Sequence, residues 1–190
     1  ASRQAAESIE KISKAADPRA QRDYAEMLAR KRKDDPSARD VKPWESGFLT
    51  ERIRVEQFNV DSQEVRPYFQ YDKVKKGVLE TSSRLFGIRF ERIADAKVWH
   101  PDVETYDVYD TGNRLLGRIY LDMFPRANKY KHFAHGTLLR GKDGVALPES
   151  VLLCNFRQPT ATAPGLLEYG AVRTFFHEFG HLVHAIVSGQ

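Results

Sequence analysis

Apolar residues recur along this chain with two different periods, and the change of period divides it. Ile9 and Ile12, then Tyr24, Met27 and Leu28, fall at helical spacing, which at about 100° per residue gathers them on one stripe. Pro18, after Asp17, is expected to break or kink this helical start, and Pro36 to follow its end, because proline lacks the amide donor that an inner helix position uses. Pro43 suits the first turn of a helix carrying Trp44, Phe48, Val55 and Phe58, and Val74, Val78 and Leu85 mark another that Gly87 can cap.

The period then shortens to two. Ile88 to Ile93 alternates charged and apolar residues, Tyr106 to Tyr109 and Leu115 to Phe124 flank the turn "DTGN", and Val151 to Phe156 is a short apolar run; these read as strands. "GKDGVALPES" (Gly141 to Ser150) and "PTATAPG" (Pro159 to Gly165) read as loops. Helical spacing returns at the end, where Val172, Phe175, Phe176, Phe179, Val183, Ile186 and Val187 are expected to form the core stripe of a last helix. The expected fold class is therefore α+β: residues 1–86 mainly helical, residues 87–158 a small mixed or antiparallel sheet with loops, and residues 166–190 a final helix packed by its apolar face. No internal repeat or low-complexity tract interrupts this order.

Composition narrows the partners. With 190 residues, 41% hydrophobic and 11% aromatic, the chain can bury a sizeable core. The formal net charge is +4, and the densest basic run is Arg30-Lys31-Arg32-Lys33. Asp34 and Asp35 follow it directly, so it reads as a helix terminus favoured by the helix dipole, and no nucleic-acid partner is expected. No apolar stretch approaches the roughly 18 residues that suggest a membrane span, so no membrane role is expected. The single cysteine, Cys154, leaves no internal disulfide and makes the cytoplasm the default compartment. The opening "ASRQAAESIEK" has neither an apolar signal core nor a starting methionine, and is read as cut from something longer.

The chemistry concentrates in "RTFFHEFGHLVHAIVSGQ", Arg173 to Gln190. On a helical wheel His177, His181 and His184 lie opposite the apolar stripe, and Glu178 sits at the edge of that polar face. Imidazoles at i and i+4 are one turn apart and can converge on one small cation, which is the geometry zinc needs. The neighbouring glutamate is too far round the helix to share the metal easily but close enough to take a proton from a water bound to it. That assigns His177 and His181 as zinc ligands and Glu178 as general base. His184 is about 10 Å further along the helix than His177 at 1.5 Å per residue, so it is read as a packing or supporting residue. After Glu178 the sequence has no Asp or Glu.

Other residues carry weaker signals. "HFAHGTLLR", His132 to Arg140, is a candidate edge strand on which an extended peptide could be laid through backbone hydrogen bonds at His135, Gly136 and Thr137; an ordinary surface strand is an equal reading. His132 and His135 are read as surface or hydrogen-bonded histidines, not ligands. Asp122 and Arg126 are expected to form a buried or partly buried ion pair fixing the turn at Pro125, and His100 to be a hydrogen-bonded structural residue.

"KPW" (Lys42 to Trp44), "LFGIRF" (Leu85 to Phe90), "VWHPDV" (Val98 to Val103), "YLDMFPRANKYKH" (Tyr120 to His132) and "LLCNFRQP" (Leu152 to Pro159), together with HEFGH, stand in the order seen in thimet oligopeptidase and oligopeptidase A. The chain resembles that zinc metallopeptidase family from about Val41 onward. The resemblance implies part of a catalytic region that cleaves short peptides in a channel between mostly helical halves, with one zinc ion, a third ligand glutamate on a later helix, and a Gly-rich loop and tyrosines further on to hold substrate. With two of three expected ligands, the chain is expected to bind zinc weakly or not at all and to be inactive alone. The competing expectation is a non-catalytic module that packs against a missing half, and exposed core surface is expected to drive self-association.

Overall fold

A computed structural model describes residues 2–58 and 62–188. The expected helical stretch at the end of the chain extends over Gly189 and Gln190, which lie outside the described residues. The chain divides into two compact units, Ala1–Asp61 and Ser62–Gln190.

In the first unit α1 runs from Ser2 to Asp34, a 3-10 turn spans Pro43–Glu45, and α2 spans Ser46–Phe58. Pro18 lies inside α1 and does not end it. Proline removes one ladder bond while its neighbours keep theirs, so the expected break is not where the helix stops. It stops at Asp34, two residues before Pro36, as the proline predicts. The basic run closes α1, and its charges are paired locally: Arg30 with Asp34 at 2.9 Å, Lys31 with Glu45 at 2.7 Å, Lys33 with Glu56 at 2.9 Å. Glu56 of α2 takes both Lys33 and Arg30, which ties the end of α1 to α2; α2 buries Leu49.

The second unit is an open sheet under two helices. A short helix, α3 (Ser62–Val65), leads into α4 (Tyr71–Phe86); five strands follow, β1 (Ile88–Ile93), β2 (Glu104–Asp110), β3 (Leu115–Asp122), β4 (Ala134–Leu139) and β5 (Glu149–Leu153); α5 (Tyr169–Val187) comes last. Gly87 closes α4 in the left-handed conformation, φ 63°, which glycine adopts without the Cβ penalty. The strand order is β1-β2-β3-β5-β4. Only the β3–β5 pair is parallel, so the sheet is mixed, and the fold is the α+β arrangement expected.

Alternation along the strands decides what each face buries. Ile119 and Leu121 of β3 and Leu152 of β5 join Val78, Phe175, Phe179, Leu182 and Ile186 in the core between sheet and helices. Tyr120 and Val151, one residue out of step, meet Val103 on the opposite face. Each fully buried Leu, Ile or Phe contributes roughly 1.5–3 kcal/mol, so this helix-covered face is the main stabilising contact of the unit. Gly117 permits the closest approach: a Cβ there would lie 2.6 Å from the Pro148 carbonyl oxygen and 3.1 Å from Ile186.

Just beyond β3 lies a buried polar cluster. Asp122 is 1% exposed and accepts two bonds from Arg126, at 2.6 and 2.7 Å, and one from the Trp99 indole at 2.9 Å. The Lys129 ammonium lies 2.8 Å from the same carboxylate and donates to the carbonyls of Asp122, Phe124 and Cys154 at 2.9, 2.6 and 2.6 Å. The expected Asp122–Arg126 pair is present, but Lys129 and Trp99 complete it. Burial works to raise the Asp122 pKa, and the bonds from Arg126, Lys129 and Trp99 outweigh it, bringing it down to about 2. The cluster thereby joins the end of β3 to the residues after β5 and to the "VWHPDV" segment.

Candidate active site

The site is built on α5. Val172, Phe175, Phe179, Leu182, Val183 and Ile186 are its buried residues. Two expected members of the stripe fall outside it, Phe176 at 42% exposure and Val187 at 38%. Phe176 lies on the flank toward α4, beside Val74 and Gly77, and Val187 falls at nearly the same angle of the wheel three turns later. Leu182, absent from the expected stripe, is fully buried. Apolarity alone could not distinguish a flank facing a neighbouring helix from one facing a sheet.

With the apolar face fixed, His177, His181 and His184 are exposed and Glu178 is half-buried. The Nε2 atoms of His177 and His181 are 3.1 Å apart, with the rings nearly perpendicular at 81°. Two nitrogens each about 2.0–2.1 Å from one ion stand roughly this far apart, so the pair fits as two donors to a single small cation. Among the described residues no group of three or more His, Cys, Asp or Glu side chains is arranged to hold a metal, so the donor set stops at two. The His184 ring is exposed, and its backbone carbonyl accepts the Ser188 amide at 2.9 Å.

Glu178 lies one turn from Phe175 and Leu182, both fully buried, so its carboxylate sits at the border between the exposed face and the sheet. The sheet edge below is β4, which pairs with β5 alone, leaving the outer backbone groups of His135, Gly136 and Thr137 without a strand partner among the described residues. His135 is half-buried and its Nε2 makes no hydrogen bond. Its pKa is lowered first by burial and then by His181, with Glu178 acting in the opposite sense. The surface or hydrogen-bonded role expected for this histidine therefore misses a buried, unpartnered nitrogen; the signal that finds it is strand register, which the sequence alone does not carry. His132 is exposed, its ring against Tyr130 at 5.5 Å, and the His100 Nδ1 accepts the Asp102 amide at 3.3 Å.

Cys154 follows β5 and is fully buried. Burial pushes its thiol up to about 12, which keeps it protonated and weakly nucleophilic.

A half-buried carboxylate thus stands beside two converging imidazoles on one helix, over the free edge of a sheet, the placement the H-E-x-x-H spacing calls for. Comparison with known proteins gives the family: the model of peptidase family M3 matches residues 1–190, and the chain belongs to that family. It is 38% identical over 147 residues to a thimet-like oligopeptidase of Dictyostelium discoideum, covering 74% of this chain and 22% of the relative. It is 30% identical over 181 residues to oligopeptidase A of Escherichia coli, covering 93% and 26%, and 32% identical over 185 residues to the mitochondrial intermediate peptidase of Pongo abelii, covering 94% and 26%. The chain thus spans about a quarter of the length of these relatives. No helix among the described residues is long and apolar enough to cross a membrane.

Proposed function

We propose that this chain supplies the metal-binding helix and substrate-edge strand of a zinc metalloendopeptidase that hydrolyses short peptides. His177 and His181 hold the zinc, and Glu178 is the general base. The observation that carries the reading is the 3.1 Å convergence of the two Nε2 atoms on the exposed face of α5, next to Glu178. When bound, zinc supplies Lewis-acid polarisation of the scissile carbonyl and lowers the pKa of water. Glu178 takes a proton from the attacking water onto a carboxylate oxygen and returns it to the leaving amine. Along His135, Gly136 and Thr137 the backbone groups that face the free side of β4, those of alternate residues, take an extended peptide by strand addition, which needs no particular side chain on the substrate.

A third donor is required for a closed zinc site. A second reading, in which the isolated chain is a non-catalytic module, is favoured by the two-donor limit among the described residues. Calorimetric titration with zinc separates the assignments. Wild-type chain is expected to bind weakly, and His177→Ala with His181→Ala to abolish binding. Unchanged uptake by the double variant would remove both ligands from the proposal, and a fluorogenic peptide assay on the same samples decides whether the chain alone cleaves.

A further inference from the structure

His135 is not used by the reading above except through its backbone, yet its ring has the more unusual surroundings. In the β4–β5 ladder His135 stands directly opposite Leu152, and directly opposed residues project from the same face of a sheet. Leu152 is part of the helix-covered core. Phe133, two residues before His135 and on the same face, packs edge-on against Phe156 at 4.9 Å. The His135 ring is therefore turned toward α5, at the last strand the helix covers.

Its Nε2 is buried and has no hydrogen-bond partner. A buried ring nitrogen left unpaired has lost its water without replacement, so the ring gains by any small movement that brings an acceptor to it. The charged groups that act on the ring are His181 and Glu178. The His181 Nε2 is engaged with His177; the Glu178 carboxylate makes no hydrogen bond or ion pair among the described residues and has acceptor capacity to spare.

We propose that His135 is a positioning residue for Glu178, its Nε2–H donating a hydrogen bond to the carboxylate and holding it between α5 and the edge of β4. This rests on Glu178 being the general base. A glutamate on a helix flank has three side-chain torsions to fix, and a bond from the strand that lines up the peptide ties the base to the substrate track. Backbone contacts of β4 set where the peptide lies; the His135 ring sets where the base points. The same segment thereby registers both reacting partners.

The direct test needs neither metal nor turnover. In nitrogen–proton correlation spectra of this chain with labelled histidine, His135 is expected as the Nε2–H tautomer, with a downfield, slowly exchanging ring proton. That proton should be lost from the spectrum in Glu178→Ala and retained in Glu178→Gln, whose amide oxygen still accepts. An Nδ1–H tautomer, or an Nε2 proton unaffected by Glu178→Ala, overturns the proposal. Because no zinc is present, failure of the histidine pair to bind metal leaves this result standing, and failure here leaves the ligand assignment standing. In a chain extended through the remaining catalytic region of a relative, His135→Leu is expected to lower kcat by about 10-fold to 100-fold with KM and zinc content unchanged. His135→Gln, which can place an amide N–H near the Nε2 position, should recover most of the loss. Equal losses in both variants, or a change confined to KM, would refute positioning of the base.

Discussion

Replacing Lys129 with methionine tests the claim that the polar cluster after β3 holds this part of the fold together. The side chains of Lys129 and Asp122 are each 2% exposed, so solvent cannot replace what the substitution removes. Methionine has similar length and fills the same space, but leaves an Asp122 carboxylate with one cation fewer and withdraws the donor shared by the carbonyls of Asp122, Phe124 and Cys154. Removing one partner of a buried ion pair typically costs about 3–5 kcal/mol. At roughly 3 °C per kcal/mol for a unit of this size, the transition should fall by about 9–15 °C. Arg126→Met is the internal control. Its side chain is 25% exposed, water can partly take over, and the expected cost is about 1–2 kcal/mol. Thermal unfolding followed by far-ultraviolet circular dichroism, with urea unfolding on the same proteins, measures both. Lys129→Met combined with Asp122→Asn should cost less than the two single changes added, since each leaves the other's charge stranded. A Lys129→Met transition within 2 °C of wild type, or a loss no greater than that of Arg126→Met, would mean the ammonium is dispensable and the reasoning is wrong.

Much of this architecture was legible because local chemistry and tertiary packing agree. Gly87 ends a helix and takes the left-handed conformation there; Ile88 to Ile93 alternates and is β1; HEFGH lies on a helix with its histidines outward because six apolar residues of α5 are buried on the other side. The sequence was less informative wherever two segments far apart must meet. Lys129 sits in "RANKYKH" beside other basic residues, and nothing in that run says that three backbone carbonyls and a carboxylate surround it. The parallel β3–β5 pairing, with β4 displaced to the outside, is a matter of which edges remain free, and hydropathy does not record it. His135 illustrates the consequence. Its neighbours in sequence are those of a surface strand, and only register against Leu152 turns its ring to the helix. Pro18 is the converse case, a strong local signal overridden by the continuity of a long helix.

The remaining predictions concern packing, association, activity and acid stability. Gly117→Ala places a Cβ against the Pro148 carbonyl oxygen and Ile186 and should cost about 1–3 kcal/mol in urea unfolding; a neutral change would show that the approach relaxes freely. Tyr68, Leu85, Phe86, Tyr169 and Phe176 are exposed apolar residues of the second unit, and such surface favours self-association. A single monomeric species in sedimentation across a wide concentration range would count against that. Glu178→Gln, in a chain extended through the remaining catalytic region of a relative, should remove most peptide cleavage while zinc stays bound; full activity in that variant refutes the role given to Glu178. Acid titration reads Asp122. Its folded pKa of about 2 lies below the ordinary aspartate value of 3.8, so the folded state holds the proton less tightly than the unfolded chain. The stabilisation is complete above the unfolded value and is lost as pH falls through the folded one. At 1.36 kcal/mol per unit the shift is worth roughly 2 kcal/mol. Wild-type stability should therefore decline between about pH 4 and pH 2 more steeply than that of Asp122→Asn, which has no carboxylate to protonate there. Parallel slopes for the two proteins across that window would show that Asp122 is not held as a paired anion in the fold.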